Sequence, residues 1–234
     1  MAEVEFVEQS TLAAARSYAT QKQCEGRVGV LNFASATKRG GGFKNGAQAQ
    51  EESLARASTL YSSLTQPVAN KFYETHIKSD HKGFYSHSMI YSRNVILIRD
   101  EQDRLVDPAA VNMVTSAAVN AGSVRRKAGK RKPEDVENDI YMEMFERMGR
   151  ILKCFEDNGD KFLVLGSFGT GVFQNDVGMV AAIWAQLLGH RGRFSQSFTR
   201  VEFAILGRPT FDQFQNAYND ELSHQVIRRM KARP

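Results

Sequence analysis

The chain predicts an α/β domain, a mostly parallel or mixed sheet with helices on both faces. Three observations carry this. Short apolar runs that read as buried strands alternate with amphipathic segments through most of the length. Two of those runs lead into glycine-rich loops that open helices. Neither an internal repeat nor a long linker interrupts the pattern. With 234 residues, 42% hydrophobic and 24% charged, the chain has material for one core, so residues 1–234 are expected to form a single domain. The same composition excludes a disordered chain, a collagen-like repeat and a disulfide scaffold.

Taken in order, residues 28–33 (VGVLNF) read as a short buried strand. A glycine-rich loop follows, and residues 50–64 (QEESLARASTLYSSL) read as one helix. Its two glutamates fall in the first turn, where the positive end of the helix dipole favours them. Residues 88–92 and 94–98 read as two strands before the polar turn RDEQD. Residues 111–119 (VNMVTSAAV) fit strand and helix equally, being small and β-branched without clean alternation. The clearest helix spans 135–155, where Val136, Ile140, Met144, Met148, Ile151, Leu152 and Phe155 make one apolar stripe. A continuous apolar run at 161–166 suits a strand buried on both faces. A second glycine-rich loop, a helix at 176–188, a strand at 199–206 and a helical segment after Pro209 complete the reading.

The balance of 31 basic and 26 acidic residues, net +5, is compatible with an anionic substrate. Residues 125–132 pack six basic side chains into eight positions; a solvated loop before the long helix is the simplest reading, with attraction of a polyanion or a nuclear-localisation patch as sharper ones. Cys24 and Cys154 read as reduced thiols. The N-terminus lacks the basic and apolar regions of a signal peptide, and no run of 18 apolar residues occurs. A protein of the cytoplasm, or of the nucleus in a eukaryotic cell, with no membrane partner is therefore expected. His76, His81 and His87 match no zinc spacing and read as surface or loop residues, so neither a metal nor another cofactor is expected.

Ligands of such folds bind where loops leave the carboxyl ends of strands. The first candidate loop holds Gly40, Gly41 and Gly42, followed after seven residues by Gln50-Glu51-Glu52. Three glycines allow positive φ and close approach of a ligand, whereas vicinal carboxylates at a helix start could serve merely as dipole partners. The second loop, Gly166-Ser167-Phe168-Gly169-Thr170-Gly171-Val172-Phe173, leaves an apolar strand and opens a helix, the setting of an anion nest. It is neither a dinucleotide fingerprint nor a Walker loop. Phe168 and Phe173 fit a core or a stacking role there.

Together the segments VLNFASATKRGGGFKNGAQAQEESLARASTLY and LVLGSFGTGVFQND resemble the signature of the poly(ADP-ribose) glycohydrolases, and the text between them is similar to the microbial-type branch, over residues 28–188. The resemblance implies a macrodomain-like three-layer α/β/α sandwich with a mixed sheet. It implies hydrolysis of ribose–ribose O-glycosidic bonds of poly(ADP-ribose), exo-acting and releasing ADP-ribose, in reversal of ADP-ribosylation such as accompanies the DNA damage response. By motif, Glu52 is the catalytic acid/base and Glu51 holds the hydroxyls of the ribose being cleaved. Asn32, Ala34, Ser35 and Gln50 are implied to contact ADP-ribose. So are Gly40, Gly41 and Gly42, together with Ser167, Phe168, Gly169, Thr170, Gly171 and Val172, with Phe173 over the distal ribose. Poly(ADP-ribose) or ADP-ribosylated protein, and ADP-ribosylated nucleic acid as a further candidate, are the implied partners of a monomer. The alternatives are a reader that binds ADP-ribose without turnover and a hydrolase removing single ADP-ribose units from nucleic acid or protein. Ser35 stands where the animal enzymes have Asn, and Thr170 where many members have Cys.

Overall fold

The computed structural model describes residues 2–231. Six strands form one sheet: β1 Glu3–Val7, β2 Val28–Phe33, β3 Ile90–Arg99, β4 Leu105–Ser116, β5 Phe162–Leu165 and β6 Arg200–Ala204. Their order is β1-β6-β5-β2-β4-β3, parallel throughout except for the antiparallel β3 at one edge. Parallel strands need crossovers, and these supply α1 Thr11–Ala19, α2 Gln50–Ala57, α3 Leu60–Leu64, α4 Asn70–Lys78, α5 Ala121–Lys127, α6 Pro133–Asp157 and α7 Val177–Leu188. Helix α8, Arg208–Lys231, follows the last strand.

Alternation along the strands divides the core into two apolar layers. Val28, Val30, Val111, Met113, Phe162 and Val164 face α1, α2 and α3 through Leu12, Leu54 and Leu60. Leu31, Val114, Leu163, Leu165 and Phe203 face the other way, onto Met144, Met148, Phe155, Trp184 and Phe214 of α6, α7 and α8. The result is a helix–sheet–helix sandwich. Trp184, fully buried, satisfies its indole N–H on the Gly166 carbonyl at 3.2 Å, tying α7 to the start of the second glycine-rich loop.

Several expectations need correction. The expected helix 50–64 breaks in two because Ser58 and Thr59 turn aside to the sheet. Ser58 bridges Leu97, the Thr59 N–H donates to the Ile96 carbonyl at 3.0 Å, and the Ile96 N–H donates to Thr59 Oγ1 at 2.9 Å. The two strands expected at 88–98 are one strand, β3, irregular between Ser92 and Val95 where Asn94 takes φ 51°. The ambiguous 111–119 is strand up to Ser116. Half of the basic run is helix instead of loop: Arg125, Arg126 and Lys127 are the last turn of α5. His76 is not a surface residue but fully buried on α4, its Nε2 accepting from the Ser86 N–H at 3.1 Å. Among the described residues no helix is long and apolar enough to cross a membrane.

Candidate active site

The carboxyl ends of β2, β5 and β6 open into a cleft of 710 Å³. Its walls include Phe33 at the end of β2 with Ala34 and Ser35 after it, Ser167, Gly169, Thr170, Gly171, Val172 and Phe173 after β5, Ile205 and Leu206 after β6, and Gln50, Glu51 and Glu52 at the start of α2.

Helix α2 begins without a side-chain cap at Ala49. Gln50 anchors it instead. Its Oε1 accepts from the Phe33 N–H at 2.9 Å, while its Nε2 donates to the Leu31 carbonyl at 2.7 Å and to Thr11 Oγ1 at 3.2 Å. The amide thus takes up the backbone groups of β2 beyond Val30, where its pairing with β5 stops, and fixes the start of the helix against the strand. The two glutamates that follow are carried inward, Glu51 3% and Glu52 9% exposed.

The two are held differently. Glu51 Oε2 accepts from the Ser35 N–H at 2.6 Å and Oε1 from Asn32 Nδ2 at 3.4 Å. Burial outweighs these bonds and pushes the Glu51 carboxyl up to about 8, so that it carries a proton near neutrality. Glu52 Oε1 accepts from the Gly42 N–H at 2.8 Å. Between them lies Gly41 at φ 62°: a Cβ there would overlap Glu52 Oε1 and stand 3.1 Å from Glu51 Oε2. The triple glycine is thus the floor on which both carboxylates rest.

The second loop leaves part of its backbone without internal hydrogen bonds. The Gly169, Gly171, Val172 and Phe173 amides find no acceptor among the described residues. Asn175, buried, braces the loop by donating to the Val119 carbonyl at 2.7 Å and the Gly169 carbonyl at 3.0 Å. Gly169, at φ 75°, has no room for a Cβ against Ala118. Helix α5 supports the far end: the Gly122 N–H donates to the Phe173 carbonyl at 3.1 Å, and Arg125 Nη1 to the Gln174 carbonyl at 2.7 Å. Asp176 caps α7 through the Met179 N–H at 2.7 Å.

The structure gathers most of the sequence-derived residues but separates their roles. Phe173 is half-buried at the cleft with its ring 5.9 Å from Tyr85. Phe168, expected to contact ligand, is a correction: its ring is fully buried 5.6 Å from Phe33, because the strand's apolar face continues through it into the core. Asn32, also expected at the ligand, is fully buried and donates to Glu51 and to Thr115 Oγ1 at 3.1 Å. Ser35 contacts Glu51 by its backbone, so the replacement of Asn by Ser leaves that bond in place. Gln9, Ser10, Thr11 and Thr210 also line the cleft and were missed. Ser10, which caps α1 through the Ala13 N–H at 3.1 Å, was the available signal, a serine before a run of helix formers. Among the described residues no three His, Cys, Asp or Glu side chains converge in a metal-binding arrangement.

A six-stranded mixed sheet between two helical layers, with its ligand cleft at the strand ends, defines a macrodomain-like fold, here furnished with a pair of buried carboxylates. Residues 1–100 match the family described as microbial-type PARG, catalytic domain. The chain is similar to the poly(ADP-ribose) glycohydrolase of Deinococcus radiodurans in complex with ADP-ribose, at 36% identity over 95% of this chain and 84% of that one, TM-score 0.82. It is likewise similar to the poly(ADP-ribose) glycohydrolase of Thermomonospora curvata, at 37% identity over 94% of this chain and 76% of that one, TM-score 0.80. The Thermomonospora curvata enzyme bound to the inhibitor ADP-HPD matches at 38% identity over 92% of this chain and 78% of that one, TM-score 0.80. No curated protein sequence matches. The chain belongs to the microbial-type poly(ADP-ribose) glycohydrolases.

Proposed function

We propose that this chain removes ADP-ribose from the end of poly(ADP-ribose), with Glu52 as the general acid and then the base. The observation that carries the assignment is the Gly42 amide holding one oxygen of Glu52 at the cleft, beside a Glu51 that burial keeps protonated. Cleaving the ribose–ribose bond requires a proton on the bridging oxygen while oxocarbenium character develops at the anomeric carbon. Glu52 supplies that proton to the leaving 2′-oxygen and, as carboxylate, takes one from the water that attacks the anomeric carbon. Neutral Glu51 donates a hydrogen bond to a ribose hydroxyl and, by staying uncharged, adds no like charge beside the diphosphate. The free amides of the second loop receive the diphosphate, and the half-buried Phe173 ring packs on the distal ribose. A cleft of 710 Å³ suits one nucleotide-sized ligand.

The test is incubation of EDTA-treated protein with poly(ADP-ribose), beside Glu52→Gln, following free ADP-ribose by chromatography. The expected outcome is release by the wild type and a loss of about a thousandfold or more in kcat for the variant, with ADP-ribose affinity within a few-fold. Variant activity near that of the wild type would remove Glu52 from the mechanism. A wild type that binds ADP-ribose but releases none from polymer would point instead to a reader or to mono-ADP-ribosylated substrates.

A further inference from the structure

Half of the strongest run of positive charge in the sequence is neutralised in the fold. Arg125 pairs with Glu137 at 2.7 Å, Lys127 with Asp80 at 2.5 Å and Arg131 with Asp139 at 2.7 Å. Two less conspicuous cations stand either side of the glycine turn that holds Glu52. Lys38 and Lys44 flank Gly40, Gly41 and Gly42, and both are exposed. None of the ion pairs among the described residues involves either lysine.

Their backbone is fixed by the turn that also holds Glu52. The Gly41 N–H donates to the Lys38 carbonyl at 3.0 Å, the Lys38 N–H to Ser35 Oγ at 3.1 Å, and the Asn45 N–H to the Gly42 carbonyl at 2.9 Å. The ammonium of Lys44 lies 4.4 Å from the centroid of the Tyr61 ring, whose other neighbour is Phe43 at 4.9 Å. Arg39, next to Lys38, lies 4.5 Å over the Tyr73 ring. Phe43 also lines a second cavity of 340 Å³, whose walls include Gln48, Ser53 and Arg56, shared with the catalytic cleft, and Asp100 and Asp103.

We propose that Lys38 and Lys44, with the Phe43 and Tyr61 rings, form the subsite for the ADP-ribose unit on the leaving side of the scissile bond. The lysines receive its diphosphate and the rings offer its adenine a stacking face. This rests on the glycohydrolase reading and adds to it the reason a polymer would be preferred over a single unit with a small leaving group.

The test compares wild type with K38Q/K44Q on two substrates: poly(ADP-ribose), and ADP-ribose bearing a neutral phenol at the anomeric carbon. For the polymer, kcat/KM is expected to fall about five- to tenfold at low salt, with the slope of log(kcat/KM) on log[salt] shallower by about 1.4, roughly 0.7 for each phosphate no longer neutralised. The phenol substrate is expected to turn over unchanged. Equal losses on both substrates, or no loss on polymer, overturn the subsite. Equilibrium binding of polymer to E52Q with and without the lysine changes decides the matter even where the wild type proves inactive. A weaker polymer complex with unaltered ADP-ribose affinity supports the subsite, and unaltered polymer affinity removes it. Turnover failure by the wild type would count against the glycohydrolase reading alone.

Discussion

Gly41 and Glu52 occupy adjoining space: a Cβ on Gly41 would overlap Glu52 Oε1 and stand 2.8 Å from its carboxyl carbon. Gly41→Ala must therefore either displace the acid or distort a backbone already at φ 62°. We expect kcat to fall by about a hundredfold or more, with a loss of about 1–2 kcal/mol in stability from the left-handed conformation alone. Gly42→Ala meets Ala47 Cβ at 3.1 Å and Glu52 Oε1 at an ordinary 3.8 Å, and should be several-fold milder. Steady-state kinetics and urea unfolding of the two variants check the contrast, which equal kcat values would contradict.

Glu51 makes stability depend on pH. Its ordinary value of 4.5 rises to about 8 in the fold. Below 4.5 both folded and unfolded chains are protonated and the residue costs nothing through ionisation. Between 4.5 and 8 only the unfolded chain ionises, so stability falls as pH rises and levels off above 8. Glu51→Gln retains an acceptor for the Ser35 amide and removes the liability. At pH 8 it should be more stable than wild type by a few kcal/mol, on the order of 1.4 for each pKa step, and should gain little at pH 4.5. Thermal melts across this range are the measurement. A gain independent of pH would show that Glu51 is not held neutral.

The two phenylalanines of the second loop should separate cleanly. Phe168→Ala empties a fully buried position and should cost about 3–5 kcal/mol of stability. Phe173→Ala, at a half-buried ring beside Tyr85, should cost about 1 kcal/mol while lowering kcat/KM about tenfold or more. A Phe173 variant with unchanged kinetics would return that ring to a packing role.

Arg125 lies in the basic run but reaches the second loop, donating to the Gln174 carbonyl at 2.7 Å while it pairs with Glu137. Removing all six charges should then weaken free ADP-ribose as well as polymer, contrary to what charge alone suggests. We expect Arg125→Met to lower ADP-ribose affinity about three- to tenfold, the loss of one hydrogen bond to a charged donor, and K130Q/K132Q to leave it unchanged. Calorimetry with ADP-ribose distinguishes the two variants.

The central strands were legible because β2 and β5 are apolar on both faces and end in glycine-rich text. The stripe of α6 was legible because seven apolar residues recur at helical spacing. Strand β1 and helix α1 were not. Glu3 and Glu5 break the apolar run of β1, whose place is set by pairing with β6, almost two hundred residues away. The break at Ser58 and Thr59 was equally hidden, since it depends on the edge strand β3 accepting those residues. In the site, the glycine–carboxylate spacing was legible as a motif. Its geometric content was not: Gln50 bound to the backbone of β2, Glu51 held neutral and Phe168 turned into the core each depend on what lies opposite in space.

Helix α2 is only eight residues long, yet both its ends are tied to the sheet: Gln50 to β2 at one end, and Ser58 and Thr59, just past its last residue, to β3 at the other. Mechanically it is a strut between two beams, and the carboxylates inherit their coordinates from the beams. It has no free end from which to fray, so the acid should not drift out of register as the protein warms. Catalytic competence and the cooperative melting of the sheet should be lost at the same temperature rather than in succession.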